Sequence, residues 1–280
     1  MKQETHLVPM HGGGHVALHR YKPSNPVGLP VVVAHGTLSN QLAVEHLGVF
    51  FAEQGFDTWL LEWGGHGQAR PAHRQQNFEY PALNDLPVAI DFVVQHTGHS
   101  QLHWTSHSGG GLLALMLLAR QPERISQIKS LSLIGAQVTD AAPNLKEKMR
   151  VAALGALTRL FGRTPRKLVP IGPEGEPTLL LVQWCKWNLS GKWKGADGFD
   201  YLAALKQVRV PSLVIAGGRD DVAPPKGCRR IYEALGGPKT WHECTVQKGF
   251  SKDFSHSQMI RGEAAKTEVF PLLHQFIQTI

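Results

Sequence analysis

Short apolar runs alternate along this chain with longer segments whose apolar residues recur at helical spacing. Val31–Ala34 is β-branched and apolar on both faces, as expected for a central strand of a parallel sheet. The other predicted strands are residues 57–62, 100–105, 128–135, 210–216 and, more weakly, 240–246; the predicted helices are residues 42–54, 81–95, 112–120 and 264–277. This alternation predicts an α/β fold in which a mostly parallel sheet is flanked by helices.

An antiparallel hairpin of edge strands is predicted at the start of the chain, from residues 5–10 and 15–21. The connection between them, His11-Gly12-Gly13-Gly14, looks like the HGGG oxyanion loop of some esterases. An oxyanion loop has to follow a central buried strand, whereas these glycines join two terminal strands. Three glycines in a hairpin turn are a sufficient explanation, so we assign them no chemistry.

One stretch interrupts the alternation of strands and helices. Between the strands that end near residue 135 and begin near residue 210 there is an amphipathic helix around Leu145–Phe161, then a Pro- and Gly-rich loop over 165–177. A tryptophan-bearing segment follows, and the whole stretch is far longer than an ordinary connection. The predicted organisation is therefore a core of residues 1–137 and 206–280 with an inserted helical cap, or lid, over residues 138–205.

Composition limits the classes of protein that this chain can represent. Of its 280 residues, 42% are hydrophobic and 18% charged, which fits one large globular domain. No run of about 18 apolar residues is present, so we expect no membrane span. The first residues lack the apolar segment of a secretory signal, and the three cysteines have neither metal-ligand nor redox spacing. We therefore expect a cytoplasmic protein with reduced thiols.

The positive charge suggests nucleic-acid binding and the histidine content suggests a metal site, but the sequence pattern supports neither. The net charge is +7, but lysine and arginine are spread along the chain and no nucleic-acid-binding motif is present. Fifteen histidines occur without a paired metal-ligand motif. We expect no nucleic-acid partner, no metal and no cofactor, and the oligomeric state stays open.

The strongest candidate chemistry lies where the strand over 100–105 runs into the apolar helix over 112–120. A strand that turns directly into a buried helix forces the apex residue toward positive φ and needs small residues two positions away on either side. Ser108 occupies the apex, with Ser106 and Gly110 as its small neighbours. This is the geometry of the Gly-x-Ser-x-Gly nucleophile elbow, which also turns the Gly109 amide toward a developing oxyanion.

A serine nucleophile needs a histidine base and an acid that orients the histidine, on loops after later strands. The first candidate loop is residues 217–225, where both Asp220 and Asp221 follow a glycine at the same spacing. We expect one of the two to cap the helix that begins near Pro224. The second loop, residues 252–259, carries His256 just before the final helix. The acid therefore precedes the histidine in the chain, as in the hydrolases that use this elbow.

With these elements in order, the chain resembles the α/β-hydrolase superfamily, and its N-terminal half resembles the acid-lipase branch. The matching segments are VVVAHGTLSN, GFDTWLLEWGGHGQAR, NDLPVAIDFVVQHTG, HWTSHSGGG, VIAGGRDDVAPP and DFSHSQMIRG. Together they cover most of the chain outside the insertion. Two positions depart from the family pattern: Ser106 replaces a glycine of the elbow, and Gly64 stands where an RGHG loop has arginine, so any charge contact made there is absent.

The resemblance implies a role for each candidate residue. Ser108 would be the nucleophile and His256 the base and then the acid. Asp220 is favoured over Asp221 as the orienting carboxylate, with Asp221 kept as the alternative. The backbone amides of Thr37 and Gly109 would form the oxyanion hole. The neighbouring His107 is more often a packing residue in this family.

The implied activity is hydrolysis of a lipophilic carboxylic ester through an acyl-enzyme on Ser108. A thioesterase, an amidase or an acyltransferase could use the same triad, and a non-catalytic binding protein could retain the fold. Dehalogenases and epoxide hydrolases would usually have aspartate at the apex in place of Ser108.

Helical spacing also predicts which residues of the cap helix lie on the same side. It places Leu145, Met149, Ala152, Ala153 and Leu160 along one side of the cap helix and leaves Lys146, Arg150 and Arg159 on the other. We expect the apolar side to pack within the cap and roof the cleft above Ser108. Trp184, Trp187 and Trp193 follow, and we expect at least one of them to line an acyl pocket.

Overall fold

Eight strands form one continuous sheet at the centre of the protein. The computed structural model describes residues 1–73, 76–162, 164 and 172–280. Along the sheet the strands follow the order β1-β2-β4-β3-β5-β6-β7-β8. They are β1 (Lys2–Pro9), β2 (His15–Lys22), β3 (Val31–Ala34), β4 (Thr58–Glu62), β5 (Leu102–His107), β6 (Ile128–Ile134), β7 (Ser212–Gly217) and β8 (Lys239–Cys244). From β4 to β8 every neighbouring pair is parallel, which confirms the predicted fold class.

Helices cover both faces of the sheet. They are α1 (Glu45–Glu53), α2 (Leu86–Thr97), α3 (Gly109–Arg120), α4 (Leu145–Phe161), α5 (Thr178–Ser190), α6 (Tyr201–Ala204), α7 (Pro225–Ala234) and α8 (Phe270–Gln278). Alternate residues of each central strand belong to different hydrophobic layers: Val32 packs with α2 and α3, whereas Val31 and Val33 pack with α1 and α8. This two-sided burial explains why the central strands have no polar face.

The predicted hairpin is present, with one difference in its position. β1 pairs antiparallel with β2 and forms the edge of the sheet, but β2 also pairs antiparallel with β4 and is an interior strand. Arg20 of β2 accounts for part of this attachment, because its guanidinium donates two hydrogen bonds to the Asp57 carboxylate, at 2.9 and 2.6 Å. The glycines of the turn lie at the end of the β1–β2 hairpin, away from the central strands.

The inserted region lies between β6 and β7 and contains two longer helices, α4 and α5, packed against each other. The predicted loop over 165–177 falls largely outside the described residues, which resume at Gly172. The segment after α5 joins the main core, where Trp193 and Tyr201 are fully buried beside Trp187. Among the described helices, none is both long enough and apolar enough to cross a bilayer.

The direction in which α4 faces contradicts our expectation for the cap. Leu145, Met149 and Leu160 are 74%, 65% and 77% exposed, so the apolar stripe points to solvent. The side that packs on α5 carries smaller residues, with Val151 next to Cys185. Helical periodicity gives the residues that share a side but not the direction in which that side points, and the shorter side chains of the other side allow the closer approach to α5.

Asp85 is a buried carboxylate at the start of α2, and few hydrogen bonds stabilise its charge. It is fully shielded from solvent and accepts the Gly64 N–H at 2.7 Å through Oδ2, while Oδ1 has no hydrogen-bond partner among the described residues. Gly64 is the residue found where the resemblance expects arginine. A β-carbon on Gly64 would lie 2.8 Å from Asp85 Oδ2 and 2.6 Å from Gln76 Oε1. Burial raises the pKa of Asp85 to about 6.

The raised pKa predicts a pH-dependent stability that Asp85→Asn removes. Between pH 4 and 6 the unfolded carboxyl ionises while the folded one stays protonated, so the folded state binds more protons and its stability falls as pH rises. Above pH 7 the loss amounts to about 2–3 kcal/mol. We expect denaturant unfolding at pH 4, 5, 6 and 7 to show the wild-type free energy declining relative to that of Asp85→Asn. Parallel profiles for the two proteins would contradict this assignment.

Candidate active site

Ser108 lies at a sharp turn between β5 and α3. Its backbone has φ 51° and ψ −122°, a strained conformation for a residue with a side chain. The turn is tighter than predicted, because β5 continues to His107 and α3 begins at Gly109. The Ser108 N–H donates to the carbonyl of Ile134 on β6 at 2.8 Å, which ties the turn to the neighbouring strand. Ser106 is fully buried, and its hydroxyl donates to the Ser132 carbonyl at 3.3 Å.

The loop after β3 brings Thr37 to the first turn of α3. A β-carbon built on Gly109 would lie 3.0 Å from the Thr37 amide nitrogen, so only glycine permits this approach. The Thr37 amide nitrogen therefore lies close to the Gly109 backbone, next to Ser108 and at the positive end of the α3 dipole. This is the arrangement that an oxyanion hole requires.

Three aromatic side chains support this loop from the protein interior. His35 stacks on Trp63 with ring centroids 5.3 Å apart, and His66 contacts both rings. Burial, followed by the effect of nearby His66, lowers the pKa of His35 to about 3, so His35 is neutral at physiological pH. Its Nδ1 donates to the carbonyl of Gly36 at 2.7 Å, which helps fix the peptide before Thr37.

Asp220 and His256 form a direct pair. Asp220 is 3% exposed, and its Oδ2 accepts a hydrogen bond from His256 Nδ1 at 2.7 Å. Its other oxygen accepts the N–H groups of Val222 and Ala223 at 2.9 and 2.7 Å. These bonds fix the carboxylate and leave His256 Nε2 as the nitrogen available to a substrate or to Ser108.

Asp221, the alternative acid, is exposed at the rim of the cleft. The expectation that one of the two aspartates caps the helix near Pro224 is wrong, because α7 has no side-chain cap. The carboxylate of Asp220 instead bonds both the histidine and the loop amides ahead of α7. Asp220 therefore both orients His256 and fixes the loop ahead of α7, whereas we had expected one aspartate for each role.

His107 packs behind His256. Their ring centroids are 4.4 Å apart, and His107 Nε2 donates to the carbonyl of His256 at 3.1 Å. Burial, followed by the charge of His256, holds the pKa of His107 well below its usual value, so His107 is neutral. The hydrogen bond and the ring contact of His107 thus support the loop that carries His256.

A cavity of about 510 Å³ opens above Ser108, and we refer to it as the Ser108 cavity. Ser108, His256, Thr37 and Gly109 all line it, while Asp220 lies behind His256. Its remaining walls are mainly apolar and come largely from the inserted region: Val151, Leu154, Leu180, Leu181 and Trp184. Arg150, Arg219 and Arg261 lie at its charged rim.

The cap tryptophans divide into two groups. Trp184 lines the Ser108 cavity, whereas Trp187 and Trp193 are each 1% exposed and belong to the main core. No sequence signal distinguished Trp184 from the others. The apolar residues at 180 and 181, which also face the cavity, likewise carry no pattern of their own.

One group of potential metal ligands lies outside the Ser108 cavity. Glu4, His6 and His96 bring ligand atoms within 4.8 Å of one another on β1 and α2. The Glu4 carboxylate already pairs with Lys2 and lies 3.5 Å from the Arg20 guanidinium. These cations occupy the charge that an ion would need, so we assign no metal to this group.

Comparison with known proteins agrees with this fold. The family model described as alpha/beta hydrolase fold matches residues 30–167, which include β3, the loop after it and the turn at Ser108. The chain has the α/β-hydrolase fold and resembles that superfamily over the matched residues. Within this superfamily it resembles the acid lipases. Human gastric triacylglycerol lipase is 28% identical over 150 residues, or 48% of this chain and 38% of the lipase. Human lysosomal acid lipase/cholesteryl ester hydrolase is 29% identical over 133 residues, or 42% of this chain and 32% of that enzyme.

These alignments span little more than a third of the curated relatives' lengths. Solved α/β-hydrolase structures match the whole fold. An esterase from Exiguobacterium antarcticum superposes with a TM-score of 0.69 over 98% of this chain and 100% of its own, at 17% identity. An esterase from Thermogutta terrifontis gives a TM-score of 0.66 over 100% and 99% of the two chains, at 13% identity.

The geometry of the acid loop predicts very different effects for two adjacent substitutions. Asp220→Asn removes the carboxylate that orients His256, a change that costs about 10⁴ in kcat in a serine triad. Asp221→Asn serves as the matched control and should stay within about threefold of wild type, because its carboxylate is exposed. Steady-state hydrolysis of a p-nitrophenyl ester measures both. A larger loss for Asp221→Asn would reverse the assignment.

Proposed function

We propose that this protein is a serine hydrolase that cleaves carboxylic esters through an acyl-enzyme on Ser108. The observation that carries the proposal is the fixed Asp220–His256 pair on the wall of the cavity that Ser108 also lines. The elbow at Ser108 and the neighbouring amides of Thr37 and Gly109 support the same chemistry. The resemblance to lipases in the N-terminal half agrees with it.

The proposed reaction has two steps. In the first, Ser108 Oγ attacks the ester carbonyl while His256 takes the hydroxyl proton, and the carbonyl oxygen gains negative charge between the amides of Thr37 and Gly109. The tetrahedral intermediate collapses, and His256 returns the proton to the departing alcohol. In the second, His256 removes a proton from water, which attacks the acyl-enzyme, and His256 then returns the proton to Ser108 Oγ as the carboxylic acid leaves. Asp220 holds the histidine tautomer throughout.

The walls of the Ser108 cavity favour a lipophilic acyl group. Val151, Leu154, Leu180, Leu181 and Trp184 present apolar surface, and the charged residues lie at the rim. The cavity volume falls within the range of sites for small molecules. We therefore propose that the substrate is a small ester with a short to medium acyl chain, bound with its acyl group against the inserted helices.

Replacement of the nucleophile tests the proposed chemistry directly. Ser108→Ala should lose fluorophosphonate labelling and lower ester turnover by about 10⁴-fold or more, since loss of a triad nucleophile removes covalent catalysis. Ser106→Ala is the matched control, because Ser106 lies two residues away and its hydroxyl only reaches the Ser132 carbonyl. It should keep both labelling and turnover. Labelling that survives in Ser108→Ala, or disappears in Ser106→Ala, would refute the proposal.

The acyl pocket predicts a dependence on chain length that involves Trp184. Each methylene buried against the apolar wall should add up to about 0.8 kcal/mol, or roughly fourfold in kcat/KM, until the pocket is full. We expect kcat/KM to rise from acetate toward octanoate in wild type and to rise less steeply in Trp184→Ala. Leu179→Ala controls for a change on the same helix, since Leu179 is 50% exposed. A flat series in wild type, or one unaffected by Trp184→Ala, would contradict the pocket.

A further inference from the structure

Glu176 is a buried carboxylate that the proposed mechanism does not use. It precedes α5 in the inserted region, and it is 2% exposed with a fully buried side chain. The contacts of its carboxylate are far away in sequence, on the loops that follow β3 and β4. A charge so completely removed from water requires close partners to be tolerated.

The Glu176 carboxylate bonds two groups through the same oxygen. Oε1 accepts the backbone N–H of Leu38 in a short hydrogen bond, and it accepts a hydrogen bond from His66 Nε2 at 2.9 Å. The other ring nitrogen of His66 donates to the Trp63 carbonyl at 3.0 Å. Burial alone would lower the pKa of His66, but the adjacent Glu176 charge outweighs it and raises that pKa. Both ring nitrogens of His66 therefore face oxygen atoms.

Leu38 is the residue next to the proposed oxyanion donor, and its backbone is strained. Of the described residues other than glycine, Leu38 and Ser108 alone have positive φ, and the value at Leu38 is 60°. A leucine does not hold this left-handed conformation without outside support. The support comes from the inserted region, because Glu176 accepts the Leu38 N–H and the backbone N–H of Glu174 donates to the Leu38 carbonyl at 3.1 Å.

The peptide plane that contains the Leu38 N–H is directly linked to the one that contains the Thr37 N–H. Fixing the first leaves little freedom for the second to rotate away from the Ser108 cavity. We propose that Glu176 is a positioning residue that holds Leu38 in its left-handed conformation and thereby aims the Thr37 amide at the reacting carbonyl oxygen. The oxyanion hole is then complete only when the inserted segment is docked on the core. The catalytic consequence rests on the proposed function, whereas the structural claim does not.

The test compares Glu176 with a matched glutamate two residues away. The Glu174 side chain accepts hydrogen bonds from Asn40 Nδ2 at 2.8 Å and from the Gly67 N–H at 3.4 Å, and does not contact the Leu38 N–H. Glu176→Ala should lower kcat for a p-nitrophenyl ester by about 10- to 100-fold with KM within about threefold, less than the 10²–10³ typical of a deleted oxyanion donor. Glu174→Gln should keep kcat within about threefold of wild type.

A conservative variant separates positioning from simple loss of structure. Glu176→Gln retains an oxygen that can accept the Leu38 N–H, so it should recover most of the kcat that Glu176→Ala loses. If Glu176→Ala does not fold, as judged by thermal unfolding, Glu176→Asp takes its place, because its shorter side chain withdraws the acceptor but keeps the charge. An unchanged kcat in the folded variants, or a loss confined to KM, would overturn the proposal.

Amide hydrogen exchange measures the positioning without any catalysis. We expect the peptide that contains residues 37–39 to exchange at least tenfold faster in Glu176→Ala than in wild type or Glu174→Gln. Equal exchange in all three proteins would overturn the structural claim. Should wild type neither react with a fluorophosphonate nor hydrolyse esters, the proposed function fails, and the exchange result still decides whether Glu176 holds the loop.

Discussion

The contact between the first turn of α3 and the end of β3 is the constraint on which the site depends. A β-carbon on Gly110 would lie 2.5 Å from the carbonyl oxygen of His35 and 3.0 Å from the β-carbon of Ala34, so the helix reaches the strand only through glycine. This approach brings the Gly109 and Thr37 amides together. The strained backbone at Ser108 costs about 1–3 kcal/mol, and the nearly complete burial of α3 against the sheet offsets it.

The sheet and the inserted region contribute different parts of the site. The carboxyl ends of parallel strands carry the reacting groups, whose relative positions follow from strand pairing and allow little adjustment. The insertion supplies the apolar wall through Leu180, Leu181 and Trp184, and it also holds the backbone of Leu38 through Glu176. The same segment therefore lines the Ser108 cavity and contacts the loop that we propose to polarise the substrate carbonyl.

The sequence predicted the sheet and the elbow because both depend on local rules. Strands buried on both faces must be apolar throughout, and a sharp strand-to-helix turn needs small residues around its apex. The choice between Asp220 and Asp221 could not be made in this way, since both fit the same spacing and only the fold decides which of them reaches His256. The outward face of α4 and the contact of Glu176 with Leu38 depend on tertiary packing between distant segments, which periodicity does not encode.

Glycine stands at position 64, where the family pattern has arginine, and this affects how the loop after β4 is anchored. Gly64 has no side chain to pair with the buried Asp85, and burial raises the pKa of Asp85 to about 6, so the hold of Asp85 on the loop loses charge assistance as the carboxylate protonates. The same loop also contains His66, which pairs with the carboxylate of Glu176, and both side chains are fully buried. A charge-assisted hydrogen bond is about twice as strong as a neutral one, and it strengthens in a low dielectric. The loop is therefore attached to the start of α2 through Asp85 and to the inserted region through Glu176, whose carboxylate also accepts the Leu38 N–H of the loop after β3.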